Sequence, residues 1–245
     1  MSKFVVMVLF MINSIVVFAE ADMDSSEFLK MVRMPPGRES WALMKGKAMH
    51  RRSGSKTTSA PISFGVKFSP ERTLAQVVID NSEGYYVGQA YQASKDSTSI
   101  IPMKALEPGK KAILAEFGLR PEDLTMSFLY WGFVDELDTD SVKGQHCRVF
   151  LLKDDKTSEI VKVYLSSEFY FPLKVQWYGQ AYVVDEELRT LEISSFDKKD
   201  NFWLIDSLQL FGEGWKTRVD FDNSKAGYSK GEKANIPQDL FIELK

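Results

Sequence analysis

Residues 161–179 read VKVYLSSEFYFPLKVQWYG. Val161, Val163 and Leu165 alternate with Lys162, Tyr164 and Ser166; after a turn, Leu173, Val175 and Trp177 alternate with Lys174, Gln176 and Tyr178. Alternation with a period of two gives each segment one apolar and one polar face, the pattern of an antiparallel hairpin. Pro172 lacks an amide hydrogen, which places it at the first position of the second strand. The style repeats on both sides of the hairpin. Upstream, Trp41, Leu43 and Lys45 oppose Ala42, Met44 and Gly46, and Ile62, Phe64, Val66 and Phe68 alternate cleanly. Residues 75–80 and 85–92 flank the turn Asn81-Ser82-Glu83-Gly84, and residues 144–152 lead into the central hairpin. Downstream, residues 188–196, 202–211 and 216–222 form a second meander with turns at 197–201 and 212–214. The chain is therefore mainly β, one curved antiparallel sheet that closes or half-closes into a barrel.

The start of the chain has the form of an export leader. Lys3 supplies a positive start, residues 4–17 are apolar apart from Asn13 and Ser14, and Val17-Phe18-Ala19 ends in a small residue suited to cleavage. The apolar run is short for a membrane span of about 20 residues; an uncleaved anchor is the alternative. We expect residues 1–19 to be a signal peptide cleaved near Ala19 and residues 20–245 to form one domain. Losing Lys3 with the leader takes the net charge from −3 to −4. A mildly acidic, mixed surface gives no electrostatic footprint for nucleic acid. The single Cys147 leaves stability to packing rather than to an internal disulfide.

Several segments break the strand pattern. Residues 24–34 (DSSEFLKMVRM) predict a short helix capped by Asp24 or Ser25, with Phe28 and Val32 on one face and Pro35-Pro36-Gly37 as its stop. Its apolar stripe is wide for a surface helix. The basic run His50-Arg51-Arg52-Ser53-Gly54-Ser55-Lys56 reads as a solvated loop. Residues 94–119 read as irregular. Residues 124–133 (LTMSFLYWGF) read best as a helix apolar almost all round, because a strand would put Leu129 and Trp131 on the face of Thr125 and Ser127. Such a segment must be buried on two sides or roof a cavity. The acidic residues 135–140 lack the glycine and terminal glutamate of a calcium loop and read as a solvated loop. Residues 237–244 fit a helical turn or an edge strand equally.

Catalytic patterns are missing from the sequence. His146 and Cys147 are neighbours on a predicted strand, so they face opposite sides and cannot act as base and nucleophile. Cys147 shares its face with Val149 and Leu151, the setting of a small buried hydrophobe. There is no HExxH, CxxC, GxSxG or glycine-rich phosphate loop. Neither an enzyme nor a cofactor or metal is expected. What stands out is an excess of apolar side chains. If two greasy segments cover a half-open barrel, the covered space suits lipid, since burial is worth about 0.8 kcal/mol per methylene, on the order of 10 kcal/mol for a long acyl chain. The same residues can equally fill a closed core.

Residues 123–131 (DLTMSFLYW), 142–152 (VKGQHCRVFLL), the central hairpin, FWLIDSLQLF at 202–211 and KTRVDFD at 216–222, taken in order, resemble the bacterial outer-membrane lipoprotein-sorting protein family, a branch of the LolA-like carriers. The resemblance spans most of the mature chain and is firmest from 123 to 222. It implies a half-open antiparallel β-barrel (LolA/LolB-like) with short α-helices covering its concave apolar side. It also implies a periplasmic carrier of lipoproteins or other lipids beside a transporter of the resistance-nodulation-division type. No arginine matches the lid-locking arginine of the better-known carriers.

On this reading Phe28, Val32, Leu124, Phe128 and Trp131 line a lid, while Val163, Leu165, Val175 and Trp177 form part of the floor. The protein is expected to act as a monomer. A carrier predicts a cavity of several hundred cubic ångströms, whereas a non-catalytic envelope interaction module with a filled barrel predicts none. A polysaccharide-active enzyme requires two facing carboxylates in a polar cleft.

Overall fold

The structure is a computed structural model that describes residues 23–33, 39–91, 98–105, 109–232 and 234–244. The expected leader, residues 1–19, lies outside them, as does the Pro35-Pro36-Gly37 stop. Among the described residues twelve strands form one sheet: β1 (Ser40–Arg52), β2 (Thr58–Phe68), β3 (Arg72–Ile79), β4 (Glu83–Ala90), β5 (Thr98–Pro102), β6 (Gly132–Val142), β7 (Gln145–Lys153), β8 (Ile160–Ser166), β9 (Pro172–Tyr178), β10 (Arg189–Lys199), β11 (Phe202–Gly212) and β12 (Trp215–Tyr228). Their order is β5-β4-β3-β2-β1-β12-β11-β10-β9-β8-β7-β6, so two antiparallel meanders meet where β1 pairs with β12. β5 and β6 are the outer edges and do not pair, leaving a half-open barrel.

The central hairpin forms as its alternation requires. Ile160 faces Tyr178 and Val163 faces Val175, and Pro172 opens β9. Val163, Leu165, Val175 and Trp177 lie in the main core on the concave side, while Tyr164 turns to the convex side and donates its hydroxyl to Gln176 Oε1 at 2.9 Å. At the seam between meanders the chains come unusually close. A Cβ at Gly46 would overlap the Asp220 carbonyl, beside the bulge at Lys45/Lys47.

Residues 234–244 are neither helix nor strand. They form a strap across the convex face, where Leu240 and Phe241 pack on Trp41 and Leu43. Gln76 donates to the Ile242 carbonyl at 2.8 Å and accepts from its amide at 2.9 Å. A Cβ at Gly65 would overlap the Leu240 carbonyl, so only glycine lets the strap lie flat there.

The inner layer consists of α1 (Ser25–Arg33), α2 (Ile113–Glu116), α3 (Pro121–Thr125) and a 3-10 turn, Ser127–Tyr130. α1 is the expected helix, capped by Asp24 through the Glu27 amide at 2.8 Å. The helix expected over 124–133 does not form. Met126 adopts a left-handed conformation (φ 55°), ends α3, and starts the tighter turn, after which β6 begins at Gly132.

Three further expectations are corrected. The acidic run 135–140 is part of edge strand β6, held by backbone pairing with β7 although most of its side chains are exposed. The basic run is not a loop from residue 50: β1 continues to Arg52, and His50 is buried. The irregular stretch contains β5 and α2.

Candidate functional site

The concave face is covered by two segments with different anchoring. The first, residues 113–125, is tied to the sheet on both sides. The Glu83 carboxylate on β4 accepts the amides of Ile113 (2.5 Å) and Leu114 (3.1 Å), satisfying two free donors at the start of α2. Thr217 on β12 donates its hydroxyl to the Phe117 carbonyl and is joined to His50 Nδ1 at 2.8 Å. Arg189 on β10 grips Asp123 with both terminal nitrogens, at 2.5 and 3.0 Å, and reaches the Gly118 carbonyl at 3.3 Å. Its guanidinium lies 4.1 Å from the centre of the Trp177 ring. Asp123 is fully buried and also accepts the Arg120 amide at 2.7 Å. A bidentate buried pair of this kind fixes orientation as well as position.

The second segment is α1 together with residues 126–131. Here the polar ties run between the two pieces. Arg33 donates to the carbonyls of Leu129 (2.6 Å) and Trp131 (2.8 Å), and the Tyr130 hydroxyl donates to the Arg33 carbonyl at 2.7 Å. The start of α1 meets the edge of the sheet at Arg148 and Glu136. Arg148 forms a forked pair with Glu136 at 2.6 and 2.7 Å and reaches the Met23 carbonyl at 2.9 Å, while Ser25 donates to Glu136 at 2.5 Å. The Arg148 hydrogen bonds hold the Glu136 carboxyl below its ordinary value against the opposing effect of partial burial. Phe28 stacks on Phe150 of β7 at 5.6 Å, with the Arg148 guanidinium 4.5 Å from its ring.

Between this second segment and β2–β4 lies a cavity of about 50 Å³. Phe64, Val66, Ala75 and Val87 form its floor, and Val32, Met126 and Leu129 its roof. The space takes water-sized groups, whereas ligand sites usually measure about 300–1,000 Å³. Among the described residues this cavity falls short of the several hundred cubic ångströms expected of a carrier in this conformation.

All nine residues singled out from the sequence are buried in the one main core. Val32 lines the cavity; the other eight do not. Phe128 packs edge-on against Trp177 at 5.4 Å, which joins the inner layer to the sheet on the side away from the cavity. Sequence patterning did not single out Arg33, Asp123, Arg148, Arg189 or Ser127. The signal for Asp123 was present, since Pro121-Glu122-Asp123 before an apolar run marks a helix start, but its partner lies 66 residues away. Among the described residues no group of three or more His, Cys, Asp or Glu side chains is placed to hold a metal, and no helix is long and apolar enough to cross a membrane.

No family model matches the chain, and no curated protein matches it. Solved structures do. A DUF1329 family protein from Desulfovibrio piger superposes with a TM-score of 0.57 at 15% identity, covering 85% of this chain and 95% of that one. A domain from Vibrio parahaemolyticus described as an outer membrane lipoprotein-sorting protein gives 0.56 at 10% identity, covering 83% and 91%. A LolA superfamily protein from Nitrosomonas europaea gives 0.49 at 12% identity, covering 88% and 94%. The first two likenesses establish the fold, an unclosed antiparallel β-barrel with short helices, as the resemblance in the sequence implied.

Proposed function

We propose that the protein is a non-catalytic, monomeric carrier that takes up lipoproteins or other acylated cargo under a movable lid formed by α1 and residues 126–131. The observation that carries this reading is the difference in anchoring. Residues 113–125 are bonded to the sheet along their length by Glu83, Thr217 and Arg189, whereas α1 and 126–131 are bonded to each other through Arg33 and Tyr130 and meet the sheet in hydrogen bonds at the start of α1, through Ser25 and Met23. The left-handed Met126 marks the boundary between the fixed and the movable part.

Magnitudes decide how cargo enters. Exposing the lid's large apolar side chains to water would cost about 1.5–3 kcal/mol each, more in total than one acyl chain regains. A chain that slides between lid and floor leaves both covered. The net cost is then the lost lid-to-floor packing, set against on the order of 10 kcal/mol from the chain. Uptake by lifting the lid as one piece is affordable on these terms; uptake by unfolding it is not. The fold's likeness to the lipoprotein-sorting domain supports the reading, as do the leader-like residues 1–19, which imply export to the periplasm with cleavage near Ala19. A transporter of the resistance-nodulation-division type is the partner this reading calls for.

Delipidated protein titrated with a fluorescent diacyl lipopeptide tests it. Saturable one-to-one binding that is weakened by Trp131→Glu is the expected result. The small cavity favours a second reading, a filled module that docks in an envelope complex. That reading gains if no binding occurs and Trp131→Glu changes stability alone.

A further inference from the structure

Five polar side chains line the small cavity, and four of them have partners. Thr73 shares a hydrogen bond with Tyr91 at 2.5 Å, and Gln89 with Ala90 and Thr98. Thr125 donates to the Pro121 carbonyl at 3.1 Å, and Tyr130 donates to Arg33. The fifth, Ser127, is 2% exposed, and its hydroxyl has no partner among the described residues. Buried hydroxyls are normally bonded, because an unmet one loses its water without compensation. Ser127 also directly follows Met126, whose left-handed backbone is uncommon for a side chain of that size. An unmet donor and a locally strained backbone at one cavity wall are features that recur at ligand clamps.

We propose that the Ser127 hydroxyl is the polar contact for cargo in this hollow, donating its hydrogen to the carbonyl of an acyl ester or amide whose chain lies over β2–β4. This rests on the carrier reading and narrows its cargo to carbonyl-bearing lipid rather than alkyl lipid. The reasons are chemical. The described lining carries no charged side chain, so it matches a neutral linkage. Its floor is Phe64, Val66, Ala75 and Val87, which offers the chain an apolar track but no hydrogen bonds. Ser127 stands at the boundary between the fixed α3 and the movable turn, so lifting the lid at Met126 brings its hydroxyl to the newly opened space. A carbonyl placed there gains a donor that no other described residue uses.

The test compares 1-palmitoylglycerol with 1-hexadecylglycerol, two neutral lipids that differ in the carbonyl, on delipidated wild-type protein and on Ser127→Ala. The ester should bind wild type about 3–10-fold more tightly than the ether, the factor one neutral hydrogen bond supplies, and this preference should vanish in Ser127→Ala. The variant without ligand should melt about 2–4 °C higher, since an uncompensated hydroxyl has been removed. Equal affinity of wild type for the two lipids overturns the proposal and leaves the carrier reading standing. A preference that survives in Ser127→Ala, or a lower melting temperature, shows that the hydroxyl is otherwise engaged and also overturns it. Binding of neither lipid removes the carrier reading and this one together.

Discussion

Arg189 and Asp123 show at the scale of single residues how the inner layer is fixed. Their side chains are 8% and 0% exposed, so each charge depends on the other for solvation. Removing one partner strands the other in the core, which typically costs about 3–5 kcal/mol. Asp123→Asn should therefore unfold at markedly lower urea, and pairing Asp123→Leu with Arg189→Met should recover most of the loss. His50 gives a pH dependence. Thr217 spends its hydrogen on the Phe117 carbonyl, so His50 must donate from Nδ1, leaving Nε2 bare and buried. Burial, reinforced by Arg52, and with Lys111 also near, lowers its pKa from the ordinary 6.5. The unfolded chain then takes up a proton at a pH where the folded chain does not, so stability is complete above pH 6.5 and declines as pH falls below it. In urea titrations across this range His50→Asn should show a flatter decline than wild type.

At the scale of elements, legibility followed burial. The central hairpin could be read because Val163, Leu165, Val175 and Trp177 all face one core, which prints a period of two into the sequence. Strand β6 could not, because an outer edge is held by its backbone pairs with β7 and its side chains need no apolar face. Its exposed Asp135, Asp138 and Asp140 place like charges along the outer edge, an arrangement that disfavours pairing with a second copy. The run 124–133 was misread for a different reason. Its apolar residues are buried as expected, yet the backbone reverses at Met126, a left-handed position with neither glycine nor asparagine to announce it. The candidate site was legible as a set of greasy residues, but the ties that sort them into a part bonded to the sheet and a part bonded to α1, such as Arg33 to the Leu129 and Trp131 carbonyls, span 96 and 98 residues and leave no local pattern. Those ties make a prediction. Arg33→Met should uncouple α1 from the 3-10 turn, so amide hydrogen exchange across 127–131 should quicken while residues 113–125 keep their protection.

At the scale of the whole molecule, the sheet curls around an inner layer contributed by two separate parts of the chain: α1 before β1, and residues 113–131 between the two meanders. The sheet edges β5 and β6 remain apart, and α1 reaches from Phe150 on β7 to the cavity over β2–β4, so it spans the gap. A lid in that position can lift without breaking any strand pair. The cost of opening is then confined to side-chain packing and the latch at the start of α1, where Ser25 donates to Glu136 and Arg148 donates to the Met23 carbonyl, while the 12-stranded sheet stays intact. Glu136, whose carboxyl is depressed below 4.5, stabilises the latch above that pH and releases it as pH falls through the lowered value.

The most direct measurement is native mass spectrometry of the protein isolated from cell envelopes without detergent, before and after mixing with a diacyl lipopeptide. The account predicts a population heavier by one acylated molecule, and one-to-one loading on addition of the lipopeptide. A single mass equal to the bare polypeptide in both samples would contradict it.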